Sequence, residues 1–335
     1  MNNEALIIQY ASRDTYKPDC LKLESREVAP LREGEVLMRP QLISIDPTSR
    51  NWLKLEPQSN VFGLEVGGVM KGPCVGEIVE SKVDGFSAGD KVTAMAGWER
   101  LSVVSAHFIQ PLIEGVPSEA HMTVFSHIGL AAATGLMEAG RLQTDDIVVI
   151  SGAAGATGSI AVEMAVACGA RTIGIAGGAE KCRFVVEVLG AEACLDYRSQ
   201  NIETELKRLC PDGATLFFDN VGGAILDSVL MNMSPFSRIA MCGQIALYNS
   251  TDRNDGQGVR NLMELVFRRI RVQGFIAGEP AERLPEYIGA LKQLFDAGKV
   301  RSRSHIIQGL GNAPQAIDLL FAGKNSGKLI VEVEP

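Results

Sequence analysis

The 335-residue chain is poor in several features that mark particular classes of function. Aromatic residues make up 6% of it, only four residues are histidine, and 32 Lys and Arg are outnumbered by 40 Asp and Glu. The formal charge of −8 argues against phosphate-backbone binding as the main activity. The densest basic run, Arg268-Arg269-Ile270-Arg271, closes a helical pattern, where cations favour the helix C-terminus. No window reaches about 18 uninterrupted apolar residues, which argues against a transmembrane span. The leading MNNEALIIQYASRD lacks the basic start and apolar core of a secretory signal. A cytoplasmic location is therefore expected, with neither nucleic acid nor membrane as a partner.

Metal frameworks are also missing. The seven cysteines (Cys20, Cys74, Cys168, Cys182, Cys194, Cys210 and Cys242) form no CxxC pair, and the histidines form no i, i+4 pair. Soft-metal sites need ligands at close spacing, so no metal is expected. Buried thiols in a reducing compartment are the simpler reading.

What is present is a change of pattern. Up to about Gly115 the chain reads as strands and turns, with VLMRPQLISID, VGEIVES and DKVTAMAG as strands and GFSAGD as a turn. This predicts a β-rich, barrel-like module. From about His121 the pattern becomes helical in FSHIGLAAATGLMEAG. Strands IVVI, TIGIA, ACLDY, ATLFFDN, RIAMCGQI and RVQGFIA then alternate with or precede helical runs, among them EKCRFVVEVL, IETELKRLC and GVRNLMELVFRRI. Six such strands predict a doubly wound parallel sheet. The closing GKLIVEVEP is again a strand.

The first strand of the array runs into SGAAGATGS. Gly155 and Gly158 match the second and third glycines of a dinucleotide fingerprint, and Ala153 stands at the first. A helix starting there offers its N-terminus to a pyrophosphate. The second strand ends in Gly177-Gly178 with Lys181 close behind, where NAD-binding sheets carry an acid for the ribose hydroxyls. This favours NADP(H), with Glu180 as the one residue that could replace that acid.

In this order SGAAGATGS, AGGAEKC, LDY, FFDNVGG, CGQIALYN and GKNSGK resemble the zinc-free prostaglandin reductase group of the medium-chain dehydrogenase/reductase superfamily. That group includes the plant double-bond (alkenal) reductases and the bacterial curcumin reductases. The resemblance spans nearly the whole chain, SIDP and GFSAGD included. It implies a GroES-like β-barrel domain of residues 1–120 and 304–335, a six-stranded Rossmann domain of residues 121–303, and a homodimer. It also implies NADPH-dependent saturation of the double bond of α,β-unsaturated ketones and aldehydes.

Carried over by motif, Gly155, Ala156, Thr157 and Gly158 would hold the pyrophosphate, and Lys181 and Tyr197 the 2′-phosphate and its surroundings. Asn220, Cys242, Gly243, Tyr248 and Asn325 would line the nicotinamide half. Phe275, Ile276 and Ala277 would border nicotinamide and substrate. Tyr248, a phenol with an ordinary pKa near ~10, is the candidate catalytic donor. Positioning of the nicotinamide ribose, with water delivering the proton, stays open beside that role.

Three departures from the family pattern bear on the substrate. SIDPTSR puts Thr48 where a tyrosine is usual, and GLAAATG puts Ala131 and Ala133 where Thr and Tyr are usual. AMAGWERL brings Met95 and Ala96 to an otherwise aromatic stretch. Phe275 and Ile276 complete the expected pocket wall, which predicts a site for bulkier or less polar enones. Two rivals remain at this point: a quinone reductase on the same scaffold, and a non-catalytic NADPH-binding protein.

Overall fold

The change of periodicity near residue 121 corresponds to a division into two units, Met1–Met122 with Ser304–Pro335, and Thr123–Arg303. The computed structural model describes residues 2–11, 16–53, 64–248, 258–325 and 327–333. The side chains of Asn2, Asn51, Leu247 and Tyr248 lie outside that description. Among the described residues, no helix is long and apolar enough to cross a membrane.

The first unit is built on strands β1 (Asn2–Ile8), β2 (Leu21–Glu27), β3 (Glu35–Ser44), β4 (Lys71–Ser81), β5 (Lys91–Gly97), β6 (Ser102–Ser105) and β7 (Ile109–Pro111). β1 and β2 form an antiparallel pair, and the other five belong to a seven-stranded mixed sheet. Alternate residues of β3 to β5, such as Met38, Ile78, Val92 and Ala94, enter a core that also holds Trp98. Residue alternation of this kind buries one face of a sheet. Helices α1 (Pro47–Trp52) and α2 (Ser118–His121) belong to this unit as well.

The second unit contains α3 (His127–Thr134), then β8 (Ile147–Ser151), α4 (Ala156–Cys168), β9 (Arg171–Ala176), α5 (Ala179–Arg183), β10 (Ala193–Asp196), α6 (Ile202–Leu209), β11 (Ala214–Asp219), α7 (Gly223–Leu230), β12 (Met233–Met241), α8 (Ile245–Tyr248), α9 (Met263–Arg268), β13 (Arg271–Gly274) and α10 (Leu284–Asp296). Its six strands are all parallel, in the order β10-β9-β8-β11-β12-β13. This is the doubly wound order in which ligands bind beyond the strands' carboxyl ends, at the reversal between β8 and β11. The apolar runs of β8 and β9 are buried almost throughout, as a sheet covered on both faces requires. After α10 the chain returns to the first unit as β14 (Ser304–Gln308), α11 (Ala313–Phe321) and β15 (Lys328–Glu332). β15 pairs with β3, and β14 is parallel to β15.

Several boundaries differ from the sequence reading. The helix expected from Gly258 starts only at Met263, because the backbone N–H groups of Arg260 and Asn261 donate to the Asp227 carboxylate. β12 stops at Met241, since the N–H groups of Cys242 and Gly243 turn back to the Asp219 carbonyl. The helix expected through Gly140 changes at Gly135 into a π-turn. Arg268 donates to Glu264 and to the carbonyls of Met231 and Met233, a structural use of the basic run.

Candidate functional site

The strand–turn–helix after β8 answers how a fingerprint can lack its first glycine. The left-handed position is Gly152 (φ +62°), while Ala153 is fully buried and donates its N–H to the Ile175 carbonyl. A Cβ at Gly158 would lie 2.1 Å from the Gly152 carbonyl oxygen, so this glycine lets the helix lie against the turn. α4 then runs 13 residues to Gly169, whose φ of +90° caps it in the left-handed region. Its N-cap is Gly155 and its first turn, Ala156-Thr157-Gly158, holds no acidic residue. The orphan N–H groups of such a turn, with the positive end of the helix dipole, suit an anion.

The tips of β9 and β10 lie side by side, with Asp196 opposite Ala176. The space at Gly177 is taken up by the Tyr197 ring: a Cβ there would sit 2.8 Å from its hydroxyl oxygen. Gly178 (φ +96°) donates its N–H to Asp196 Oδ1 at 2.8 Å, and the Arg198 N–H donates to the same oxygen at 3.0 Å. Those two N–H groups hold the Asp196 carboxyl below the usual carboxylate range, the Gly178 donor contributing most. Lys181 is half-buried. Burial lowers its pKa first, the Arg198 charge lowers it further, and Glu180 opposes both.

At the reversal of strand order, Ser151 at the end of β8 meets Asp219 at the end of β11. The Ser151 hydroxyl donates to Asp219 Oδ1 at 2.7 Å and accepts the Asn220 N–H at 2.8 Å. The Asn220 side-chain amide donates to the Ser151 carbonyl at 2.7 Å. Asp219 is fully buried and also accepts the N–H groups of Val221 and Gly222. Burial raises its pKa against those hydrogen bonds. Burial, reinforced by the Asp219 charge, pushes the adjacent Cys242 thiol up to about 12. Ile245 and Ala246, which open α8, donate to the carbonyls of Asn220 and Val221, so the tips of β8, β11 and β12 form one network with α8. Tyr248 is the last residue of α8; its side chain lies outside the described residues.

Beyond β13, Phe275 packs near Phe218, ring centroids 6.1 Å apart. Both rings fill the space a side chain at Gly135 would need, a Cβ falling 2.4 Å from Phe218 and 2.5 Å from Phe275. Ile276 is exposed, Ala277 is half-buried, and the Gly278 N–H donates to Thr134 Oγ1 at 3.0 Å. Ala131 is half-buried, whereas Ala133 is wholly within the second unit's apolar core, where a change would act through packing.

The remaining candidates belong to the first unit. Thr48 is exposed on α1, and the Asn325 amide donates to the Gly327 carbonyl at 2.8 Å. Met95 and Ala96 on β5 line a cavity of about 740 Å³ together with Arg26, Lys71, Glu99 and Phe108. Thr48 is not part of its wall. Burial raises the Glu99 pKa, opposed first by the Ser102 hydroxyl and then by Arg26.

Sequence reading passed over Ser151, Asp196, Arg198 and Asp219. Their roles depend on which strand ends lie side by side, β10 beside β9 and β11 beside β8. Among the described residues, no group of three or more His, Cys, Asp and Glu is placed to hold a metal ion. The fit to a dinucleotide phosphate is better founded, resting on the glycine-capped α4 terminus and the cations at the β9 and β10 tips.

Two family models match the chain: the N-terminal domain of oxidoreductase over residues 5–112, and zinc-binding dehydrogenase over residues 156–293. The chain is 33% identical over 320 residues to the NADPH-dependent curcumin reductase of Escherichia coli, covering 94% of this chain and 92% of that one. It is 32% identical over 309 residues to the NADP(+)-dependent 2-alkenal reductase of Nicotiana tabacum, covering 91% and 89%. The crystal structure of CurA in complex with NADPH from Vibrio vulnificus superposes with a TM-score of 0.91, at 29% identity and 99% coverage of both chains. The chain belongs to the medium-chain dehydrogenase/reductase superfamily, in the group that contains the curcumin, 2-alkenal and prostaglandin reductases.

Proposed function

We propose that this protein uses NADPH to reduce the carbon–carbon double bond of α,β-unsaturated ketones and aldehydes. The observation that carries the cofactor half is the paired tip of β9 and β10. Two cations, Lys181 and Arg198, stand there, and the Asp196 carboxylate is turned onto backbone N–H groups. A 2′-phosphate is matched by such a tip, and the relatives named NADPH-dependent curcumin reductase and NADP(+)-dependent 2-alkenal reductase support the reaction class.

When bound, the cofactor supplies the hydride that reaches the β-carbon. The first-turn N–H groups of Ala156, Thr157 and Gly158 are assigned to its pyrophosphate. The Ser151–Asp219 pair fixes Asn220, and Cys242, Gly243, Phe275 and Ala277 flank the same strand ends. Tyr248 is assigned to donate a hydrogen bond to the substrate carbonyl oxygen, where enolate charge develops, and the α-carbon then takes a proton from this phenol or from water.

Of the side chains assigned to substrate recognition, Ala133 lies in the core and acts through packing; Thr48, Met95 and Ala96 of the first unit and Ala131, Phe275 and Ile276 of the second are mostly small or apolar, which favours bulkier enones. No metal is assigned a role, because the histidines and cysteines do not gather into a ligand set among the described residues. The seven unpaired cysteines suit a reducing cytoplasm. A homodimer is supported by the edge strand β13. Val272 on it is exposed, and in α9, which precedes it in the chain, Val266 and Phe267 are 64% and 63% exposed, apolar side chains close in sequence to an open sheet edge.

The deciding experiment is NADPH oxidation by the purified, chelator-treated protein against parallel short-alkenal, aryl-enone and quinone substrates, with product identification. Saturated ketone from the aryl enone, at a rate above that of the alkenal, is the expected result. Turnover of quinones alone, or of no substrate, would overturn the reading.

A further inference from the structure

We propose that Arg198 is a second determinant of selectivity for the 2′-phosphate and that Asp196 is the residue positioning it. The inference rests on the NADP(H) reading above and adds to it a side chain that neither the fingerprint nor the glycine pair points to.

Arg198 follows the end of β10, and four observations place it at the tip of β9. Its guanidinium carbon lies 5.9 Å from the centroid of the Tyr197 ring, the ring that fills the space at Gly177. Its Nη1 is 4.0 Å from where a Gly178 side chain would begin. Its charge is felt by Lys181, so the two cations share one neighbourhood. Its backbone N–H is held by Asp196 Oδ1, the oxygen that also holds the Gly178 N–H. The other carboxylate oxygen, Oδ2, accepts the Ser199 hydroxyl at 2.9 Å.

Two like charges brought together repel, and an incoming dianion relieves that repulsion. A guanidinium also presents a planar fork of donors that matches phosphate oxygens, which a lysine ammonium cannot do. Asp196 would be unfavourable for a phosphate if its carboxylate faced the ligand. Here three of its four lone-pair positions are taken by the loop itself, so the carboxylate charge is met by those donors while the acid shapes the anion site.

The test uses the full chain and measures equilibrium binding of adenosine 2′,5′-bisphosphate, 5′-AMP and inorganic phosphate by calorimetry. Wild type should bind the bisphosphate more tightly than 5′-AMP, and inorganic phosphate far more weakly than the bisphosphate. Arg198→Ala should weaken the bisphosphate about tenfold while leaving 5′-AMP within about twofold. Arg198→Lys should fall between the two. Asp196→Ala should lose selectivity in the same sense. Asp196→Asn, which keeps an Oδ1 acceptor for both N–H groups, should restore most of it.

An unchanged bisphosphate affinity in Arg198→Ala, alongside a selective loss in Lys181→Ala, would overturn the role of Arg198 and leave the NADP(H) reading standing. A wild type that does not distinguish bisphosphate from 5′-AMP would overturn that reading and this proposal with it. Inorganic phosphate binding as tightly as the bisphosphate would reduce the pair to a general anion site and overturn the proposal. Arg198 is exposed, so the ligand-free melting temperature of its variants should match wild type and rule out misfolding as a cause.

Discussion

The Ser151 hydroxyl donates to Asp219 Oδ1 at 2.7 Å, joining the ends of two adjacent parallel strands where the strand order reverses. The same hydroxyl accepts the Asn220 N–H. Ser151→Ala therefore leaves a buried carboxylate short of a donor and a backbone N–H short of an acceptor. The expected cost is about 1–3 kcal/mol of stability, read from chemical denaturation, together with a raised KM for NADPH.

Gly158→Ala should be more severe. The new Cβ would fall 2.1 Å from a backbone carbonyl that has no side-chain freedom to move away. The first turn of α4 must shift to accept it. We expect loss of about 2 kcal/mol or more and cofactor affinity too weak to measure by calorimetry.

Tyr248→Phe separates two uses of the phenol. If the hydroxyl stabilises the developing enolate, kcat should fall at least about tenfold with little change in KM for NADPH. A raised cofactor KM at unaltered kcat would mean that the hydroxyl only positions the nicotinamide ribose.

The proposed homodimer predicts a dimer for the wild type in sedimentation velocity and a monomer for Val272→Asp on the edge strand β13. A charge there is incompatible with an apolar edge-to-edge contact. A wild type already monomeric at micromolar concentration would contradict the dimer.

His121 gives a pH dependence with a definite sign. Its Nε2 accepts the Ile113 N–H at 2.8 Å, Nδ1 lies 3.1 Å from the Pro117 carbonyl, and burial pulls its pKa below the ordinary value. The folded state thus holds the neutral ring, while the unfolded chain takes up a proton near pH ~6.5. Stability from this group is present above that pH. It is lost as pH falls towards the lower folded pKa, by at most about 1.4 kcal/mol per pH unit. His121→Gln should flatten the fall in melting temperature between pH 7.5 and 5.5.

The doubly wound sheet was legible because buried parallel strands are apolar runs separated by helical periodicity, and IVVI, TIGIA and ATLFFDN have that form. The glycine turn was legible too, although the residue in the left-handed region proved to be Gly152, one place before the fingerprint position. Arg198 was hidden for a different reason. Its significance depends on β10 lying beside β9, and strand pairing is a fact of space that local pattern does not carry. Asp219 was hidden because a strand-end Asp before two glycines reads equally well as a turn former. The shortened helix at Met263 depended on Asp227, more than thirty residues earlier, capturing two N–H groups that a helix would otherwise use.

The Tyr197 ring occupying the space at Gly177 has a consequence for evolution at this position. A change of cofactor preference made by enlarging residue 177 alone would collide with the ring, and a change of Tyr197 alone would leave a gap beside a glycine. Neither single step is smooth, so positions 177 and 197 should be strongly epistatic. Homologues that favour the other dinucleotide would be expected to differ at both positions together.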